Sequence, residues 1–218
     1  MMKDLQKFIT NLRKDYSRQE LLEETILPDP IKQFQQWFEE AVLAKIPDPN
    51  AFNLATVSSE GKPSSRIVLL KGFDVKGFVF YTNYESQKGQ DLVANPWVSI
   101  NFFWPELEKQ IRIEGIATKV SEQQSEDYFN SRPRESQIGA WVSKQSSEIS
   151  NREVLTGKEK ELQEHFKDQT IPRPIHWGGY CVSPVRFEFW QGRPNRLHDR
   201  IVYELKESKT WFIKRIAP

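Results

Sequence analysis

The stretch WVSINFFW, Trp97 to Trp104, alternates residue by residue: Val98, Ile100, Phe102 and Trp104 share one face, and Ser99 and Asn101 the other. Successive strand side chains point to opposite faces, so a period of two predicts a strand with one face in a core. KQIRIEGIATKV follows as a hairpin partner, with Ile111 and Ile113 on one face and Arg112 and Glu114 on the other.

The pattern extends in both directions. Upstream, FNLATVSS and SSRIVLLKGF flank the turn Glu60-Gly61-Lys62, and GFVFYTN follows a second turn at Asp74 to Gly77. One helix-like interruption, SQKGQDLVANP, precedes Trp97. Downstream, Ser121-Glu122-Gln123-Gln124 predicts a capping box that opens a helix through Phe129. Residues 151–167 are charged and helical, IPRP ends them, and GGYCVSPVRFEFW, RLHDRIVYEL and KTWFIKRI resume as strands. Short strands at this spacing, bounded by turn residues, predict an antiparallel β-barrel with helices outside it. The first forty-five residues read instead as two helices. Leu5, Phe8, Ile9 and Leu12 fall at helical spacing, as do Ile31, Phe34, Phe38, Ala41 and the stem of Lys45. Pro28 and Pro30 separate the helices, Pro47 and Pro49 end the second, and Asp29 is placed to cap it with Pro30 at the first helical position. The expected organisation is a single domain over 1–218, mainly β with α, carrying an N-terminal helical arm, 1–46.

Composition narrows the class. At 218 residues, 38% hydrophobic and 28% charged, the chain suits a globular protein with one substantial core. Thirty-one Lys and Arg against thirty Asp and Glu leave a net charge of +1, so no global field grips nucleic acid or an anionic membrane. Any basic site is local. Cys181, the only cysteine, has no disulfide partner and no thiolate metal spacing, and is expected as an apolar filler in a strand. The start, MMKDLQKFITNLRKDY, is charged throughout, and no run reaches the ~20 apolar residues of a membrane span. The expected compartment is the cytoplasm.

Familiar chemistry is missing. There is no GxGxxG after a strand, no GxxxxGK[ST], no HExxH and no GxSxG, which removes the common nucleotide, zinc and hydrolase motifs. Cations remain. Arg66 and Lys71 bracket the apolar run IVLL, Lys88 opens the helix-like segment, Arg132 and Arg134 surround Pro133, and Arg193, Arg196, His198 and Arg200 crowd GRPNRLHDR. Arg196, His198 and Arg200 have alternation spacing, which predicts one strand face carrying all three, a row suited to phosphate. Flanking arginines disfavour an imidazolium, so His198 is expected to be neutral and to act as an acceptor. Trp190 lies beside these cations, and a flat aromatic phosphate ester exploits such a neighbour. The residues alone support a barrel that binds aromatic phosphates, and leave enzyme and carrier both open.

The stretch FEFWQGRPNRLHDR is more specific. Glu188-Phe189-Trp190-Gln191, a spacer, then Arg196-Leu197-His198-Asp199-Arg200 closely resembles the signature of the pyridoxine 5'-phosphate oxidase family. Arg13-Lys14-Asp15-Tyr16 is similar to that family's N-terminal element, SSRIVLLKG to its flavin-contacting strand, YTNYESQKG to its phosphate loop and SQIGAWVSKQSS to its central motif. The ending Arg215-Ile216-Ala217-Pro218 is also similar. The resemblance implies an FMN-binding split β-barrel that forms a homodimer, with flavin at the subunit interface and no metal.

It implies site residues as well. Arg66, Ile67, Val68, Leu69, Leu70 and Lys71 would line the flavin ring, with Arg66 serving the phosphate. Tyr81, Thr82, Lys88 and Gln110 would add contacts, and Gln145, Ser146, Trp190 and Arg200 would complete the cofactor site from the partner subunit. Lys71, Tyr128, Arg132 and Ser136 would hold the substrate phosphate. Arg196 and His198 would lie over the substrate pyridine ring as catalytic residues. Leu197 between them would also bind substrate, as would Arg13, Lys14, Asp15 and Tyr16, with Arg13 and Tyr16 forming a mobile lid. The implied reaction carries a hydride from C4' of pyridoxamine or pyridoxine 5'-phosphate to FMN; O2 then reoxidises the flavin and yields hydrogen peroxide. This chain departs from the family where Arg-Lys is usual: it reads Ser86-Gln87-Lys88, so Gln87 takes the place of an FMN-phosphate arginine without its charge. The rival readings are another flavin oxidoreductase on the same barrel and a non-catalytic FMN or pyridoxal phosphate carrier.

Overall fold

The computed structural model describes residues 2–11 and 16–218. In chain order the elements are α1 (Met2–Asn11), α2 (Pro30–Leu43), β1 (Ala51–Val57), β2 (Pro63–Leu69), β3 (Gly72–Asp74), β4 (Gly77–Asn83), α3 (Gln87–Ala94), β5 (Trp97–Trp104) and β6 (Lys109–Lys119). There follow α4 (Glu122–Asn130), α5 (Arg134–Val142), α6 (Glu153–His165), β7 (Trp177–Gln191), β8 (Asp199–Leu205) and β9 (Trp211–Arg215). The sheet runs β2-β1-β5-β6-β7-β4-β3, with β8 added on β7 and β9 on β8. No helix among the described residues is long and apolar enough to cross a membrane.

The chain divides into two compact units. The larger comprises residues 50–102 and 112–186. There β1 and β2 form a hairpin registered from Ala51 opposite Leu69 to Val57 opposite Pro63, and β4 pairs β7 from Phe78–Val182 to Asn83–Trp177. The alternation of β5 appears as expected: Val98, Ile100 and Phe102 are buried, and Ser99 and Asn101 are half-buried. Phe52 meets Phe102 at 5.2 Å and Phe80 at 6.1 Å between ring centres, so inward faces of three strands share one aromatic core. Each such pair adds about 0.5–1.5 kcal/mol beyond its buried area. A second cluster, Phe129, Ile138, Leu162, Phe166, Ile171 and Trp177, joins α4, α5 and α6 to the start of β7.

Local signals explain the helices of this unit. Ser121 caps α4 by accepting from the Gln124 amide at 3.1 Å, one half of the expected box. Ser86 caps α3 in the same way, accepting from the Gly89 amide. A Cβ on Gly89 would lie 2.0 Å from the Tyr84 carbonyl oxygen, so the tight entry into α3 requires glycine. The α5 helix has no side-chain cap; Arg134 in its first turn donates instead to the carbonyls of Phe166, Lys167 and Gln169 just beyond α6. Cys181 sits half-buried in β7, and burial pushes its thiol pKa up, as suits a filler.

The smaller unit comprises the described residues up to Pro49, with 103–111 and 187–218. Asp29 caps α2 through the Ile31 amide at 2.8 Å, with Pro30 at the first helical position. The buried face of α2 carries Phe34, Trp37 and Ala41. Trp37 meets Phe189 edge-on at 5.2 Å, and Phe189 meets Tyr203 at 5.5 Å. Tyr203 donates its hydroxyl to the Leu27 carbonyl at 2.8 Å, which ties the chain before α2 to β8. Lys109, buried under the Trp37 ring at 4.5 Å, ends on Glu40.

Two expectations change, and one falls outside the described residues. The second helix ends at Leu43, and Lys45 turns out of it with φ 55°. Leu12 lies outside the described residues. Arg196, His198 and Arg200 do not share a strand face: β8 begins at Asp199, and Asn195 and Arg196 sit in the left-handed region with φ 57° and 62°. Pro194 and that left-handed pair make a tight turn of the stretch where the spacing predicts a strand.

Candidate functional site

A cleft of about 860 Å³ opens in the larger unit. One wall is β2. Alternation leaves Ile67 64% and Leu69 42% exposed along it, an apolar strip on a strand that also carries Arg66. Arg66 is fixed from behind. Its Nη1 donates to Thr56 Oγ1 at 2.7 Å and to the Leu54 carbonyl, and its Nη2 donates to Ser64 Oγ at 2.6 Å. Both hydroxyls also bond Asp91, which is buried and lies 3.9 Å from Arg66. Gln87 Nε2 donates to the other Asp91 oxygen at 2.9 Å.

Lys88 lies next along α3. It is buried, and its Nζ reaches Gln145 Oε1 at 2.9 Å, Thr82 Oγ1 at 3.2 Å and Ser86 Oγ at 3.3 Å. All three are neutral oxygens. Burial, and after it the Arg66 charge, draw its pKa down to about 8. An ammonium placed this way gains from an anion.

A second cationic group stands on the helical wall. Arg132 is set over the Trp177 ring at 4.6 Å, and burial lowers its pKa. Its Nη1 is buried with no acceptor among the described residues. Tyr81 and Tyr128 stack at 3.9 Å, and Trp177 continues the stack at 5.5 Å from Tyr81. Lys71 and Ser136 line the same cleft. A buried guanidinium donor without a partner, beside a stack of flat rings, suits an anionic aromatic ligand.

The smaller unit holds the C-terminal motif. Trp190, one residue before the end of β7, has its ring 4.6 Å from His198, and Tyr16 meets both edge-on, at 5.7 and 5.8 Å. The Arg193 amide donates to His198 Nδ1 at 3.1 Å. That bond needs the Nδ1 lone pair, so the proton resides on Nε2. Burial first and Arg196 second lower the His198 pKa, against the pull of Asp199, so the imidazole is neutral and accepts as expected. Arg193 pairs with Glu20 at 2.6 Å, and Arg200 with Glu188 at 2.7 Å. Arg196 is exposed and makes no ion pair among the described residues.

Residues 38–166 match the family described as pyridoxamine 5'-phosphate oxidase. The chain belongs to that family. Residues 177–218 match the pyridoxine 5'-phosphate oxidase C-terminal dimerisation region. A pyridoxine/pyridoxamine 5'-phosphate oxidase from Acaryochloris marina is 53% identical, over 98% of this chain and 97% of its own. One from Bordetella pertussis is 53% identical over 96% and 99%. Among solved structures, PhzG from Burkholderia lata, in complex with tetrahydrophenazine-1-carboxylic acid, superposes with a TM-score of 0.86 at 30% identity, over 93% of this chain and all of that one. The fold is the mainly β, antiparallel split barrel with peripheral helices.

Most residues that the sequence assigns to the oxidase site meet in the cleft. Arg66, Ile67, Val68, Leu69, Lys71, Tyr81, Thr82, Gln87, Lys88, Tyr128, Arg132, Ser136, Gln145 and Ser146 all line it. Gln145 and Ser146, expected from a partner subunit, are on the wall of their own chain's cleft, because Gln145 is bonded to Lys88. Leu70 is buried in the core and Gln110 is half-buried in β6; neither lines the cleft, nor do Trp190 and Arg200. His198 meets Tyr16 and Trp190 in the smaller unit, while Arg196 and Leu197, in the turn before it, are exposed, Leu197 at 69%. Arg13, Lys14 and Asp15 lie outside the described residues. The sequence reading missed Thr56, Ser64 and Asp91. Asp91 stands one helical turn beyond Gln87 and Lys88, a spacing that could have flagged it.

Proposed function

We propose that this protein is an FMN-dependent oxidase that converts pyridoxamine 5'-phosphate or pyridoxine 5'-phosphate to pyridoxal 5'-phosphate, reducing O2 to H2O2, and that it acts as a homodimer in the cytoplasm. The observation that carries this reading is one cleft with two cationic groups short of anions. Lys88, beside Arg66, meets only neutral oxygens, and Arg132 keeps a buried donor without an acceptor. Two phosphate-bearing aromatic compounds, cofactor and substrate, match two such groups.

The residues fit FMN. Lys88, Thr82, Gln145 and Arg66 would hold its phosphate, and the exposed apolar strip of β2 would face its ring. Bound there, FMN supplies the two-electron acceptor and the reaction with O2. Arg132, Lys71, Ser136 and Tyr128 would anchor the substrate phosphate. Arg196 and His198 would orient the pyridine ring, His198 offering a proton held on Nε2. The residues thereby contribute placement, potentially worth several kcal/mol of the barrier.

An absorbance spectrum of the purified protein tests the reading. A flavin band should bleach on anaerobic addition of pyridoxamine 5'-phosphate and return with air, with release of peroxide. A band that persists would overturn the reading and leave a carrier or an oxidoreductase for another substrate.

A further inference from the structure

Glu108 has no part in the site described so far, yet it is buried, with φ 56°, in the turn between β5 and β6. A non-glycine residue held left-handed inside a fold costs free energy, and persists where its surroundings over-determine it. Here they do so from both sides. Glu108 Oε2 accepts from two successive amides, Ser17 at 2.9 Å and Arg18 at 3.1 Å. Its backbone carbonyl accepts from the Gly192 amide at 2.8 Å and from Gln191 Nε2 at 3.2 Å. One residue thus ties the chain that leaves Tyr16 to the chain that leaves Trp190.

Gly192 supplies the second half of the seat. A Cβ there would meet Tyr16 Cγ, Cβ and Cδ1 at 2.7, 2.8 and 2.9 Å. Those atoms lie at the root of the side chain, so rotation of the ring tip does not relieve the clash. The notch left by Gly192 is filled by Tyr16, whose ring then meets Trp190 and His198 edge-on. Neighbouring pairs hold the following residues: Leu21 N donates to Asp199, and Arg215 bonds both Asp199 and Glu23.

We infer that Glu108 and Gly192 are positioning residues which together seat Tyr16 against Trp190 and His198, so that the N-terminal segment sets substrate affinity through Tyr16. The inference rests on the oxidase reading for its kinetic arm only. Glu108→Ala should raise KM for pyridoxamine 5'-phosphate about tenfold, with kcat within about threefold and bound FMN unchanged. Glu108→Gln keeps an acceptor oxygen and should recover most of the loss; Gly192→Ala should reproduce it. In a Tyr16→Ala background, Glu108→Ala should change KM no further. A role in general stability would move KM equally in both backgrounds, and would overturn the inference. A second arm needs no turnover: trypsin cleavage at Arg18 should be severalfold faster in Glu108→Ala than in the unmodified protein. Unchanged cleavage would overturn the clasp whatever the kinetics show, whereas faster cleavage in a protein that oxidises nothing would uphold the clasp and remove only the oxidase reading.

Discussion

In the cleft, Lys88 is held by neutral oxygens and Arg132 keeps a buried donor without an acceptor, whereas in the smaller unit Arg193, Arg200 and Arg215 each end on a carboxylate. The C-terminal stretch is the denser in cations, yet most of its positive charge is already neutralised by Glu20, Glu188, Glu23 and Asp199. The sparser cleft cations are the ones left for a ligand. Charge density along a sequence therefore says less about anion binding than the supply of carboxylates that the fold brings alongside. Within the stretch Arg193 to Arg200, Arg196 is the arginine that is exposed and without an ion pair among the described residues, and it is the one of those arginines assigned to substrate.

Removing a cation from each region tests the contrast most severely. Arg132→Ala should lower kcat/KM for the phosphorylated substrate by roughly 10²–10³-fold, since a charge-assisted contact of 2–5 kcal/mol is lost. The melting temperature should stay within a few degrees. Arg215→Ala should do the reverse, leaving kinetics near normal while costing about 1–2 kcal/mol of stability through loss of Glu23, Asp199 and the Leu21 carbonyl. Calorimetry alongside kinetics on both variants decides; equal effects on both properties would erase the distinction.

His198→Ala and Arg196→Ala should each lower kcat/KM by ~10²-fold while flavin content remains, a loss of positioning. Release of flavin from either variant, read by absorbance, would move that residue into the cofactor site.

A smaller effect follows from Lys88. Its pKa near 8 means that the free site is charged below pH 8 and neutral above it. A bound phosphate favours the ammonium, so binding above pH 8 takes up a proton, and FMN affinity should fall by up to ~10-fold per pH unit there. Titration calorimetry in buffers of different ionisation enthalpy measures that proton directly. No uptake at pH 9 would mean that Lys88 does not face the phosphate.

Gln87→Arg should have the smallest effect. Its Nε2 already donates to Asp91, so a guanidinium at 87 would find that carboxylate before any ligand. Asp91 is buried beneath the exposed Gln87, so the carboxylate would hold the arginine away from the ligand, and FMN affinity should change by less than about fivefold, or ~1 kcal/mol. Fluorescence titration of apo-protein at low salt measures it; a larger gain would show that the arginine reaches past Asp91.

Strand faces were legible because burial repeats every second residue: β5 and β6 follow their alternation residue by residue. Caps were legible because Asp29-Pro30 and Ser121 act within three residues of themselves. The α5 helix was not, since Ile138 is its only buried residue and it has no side-chain cap to announce it. The turn at Asn195-Arg196 was hidden because alternation spacing carries no information about the sign of φ. Within the site, the cationic residues could be named from the chain, but their partners lie far off in sequence: Thr56 and Asp91 are separated by 35 residues, Lys88 and Gln145 by 57. Only folding shows which charges are already neutralised.

The hold of Arg134 on the carbonyls beyond α6 has a consequence for local opening. Asn151 accepts from the Val154 amide at 3.3 Å and so holds the start of α6, but Leu162 is its only buried residue, and the anchorage just beyond its far end comes from a side chain two residues past Arg132. A helix tethered in this way frays together with its tether. Amide protons in the last turn of α6 should therefore exchange in step with those of residues 132–136, and slow with them when that loop is held still.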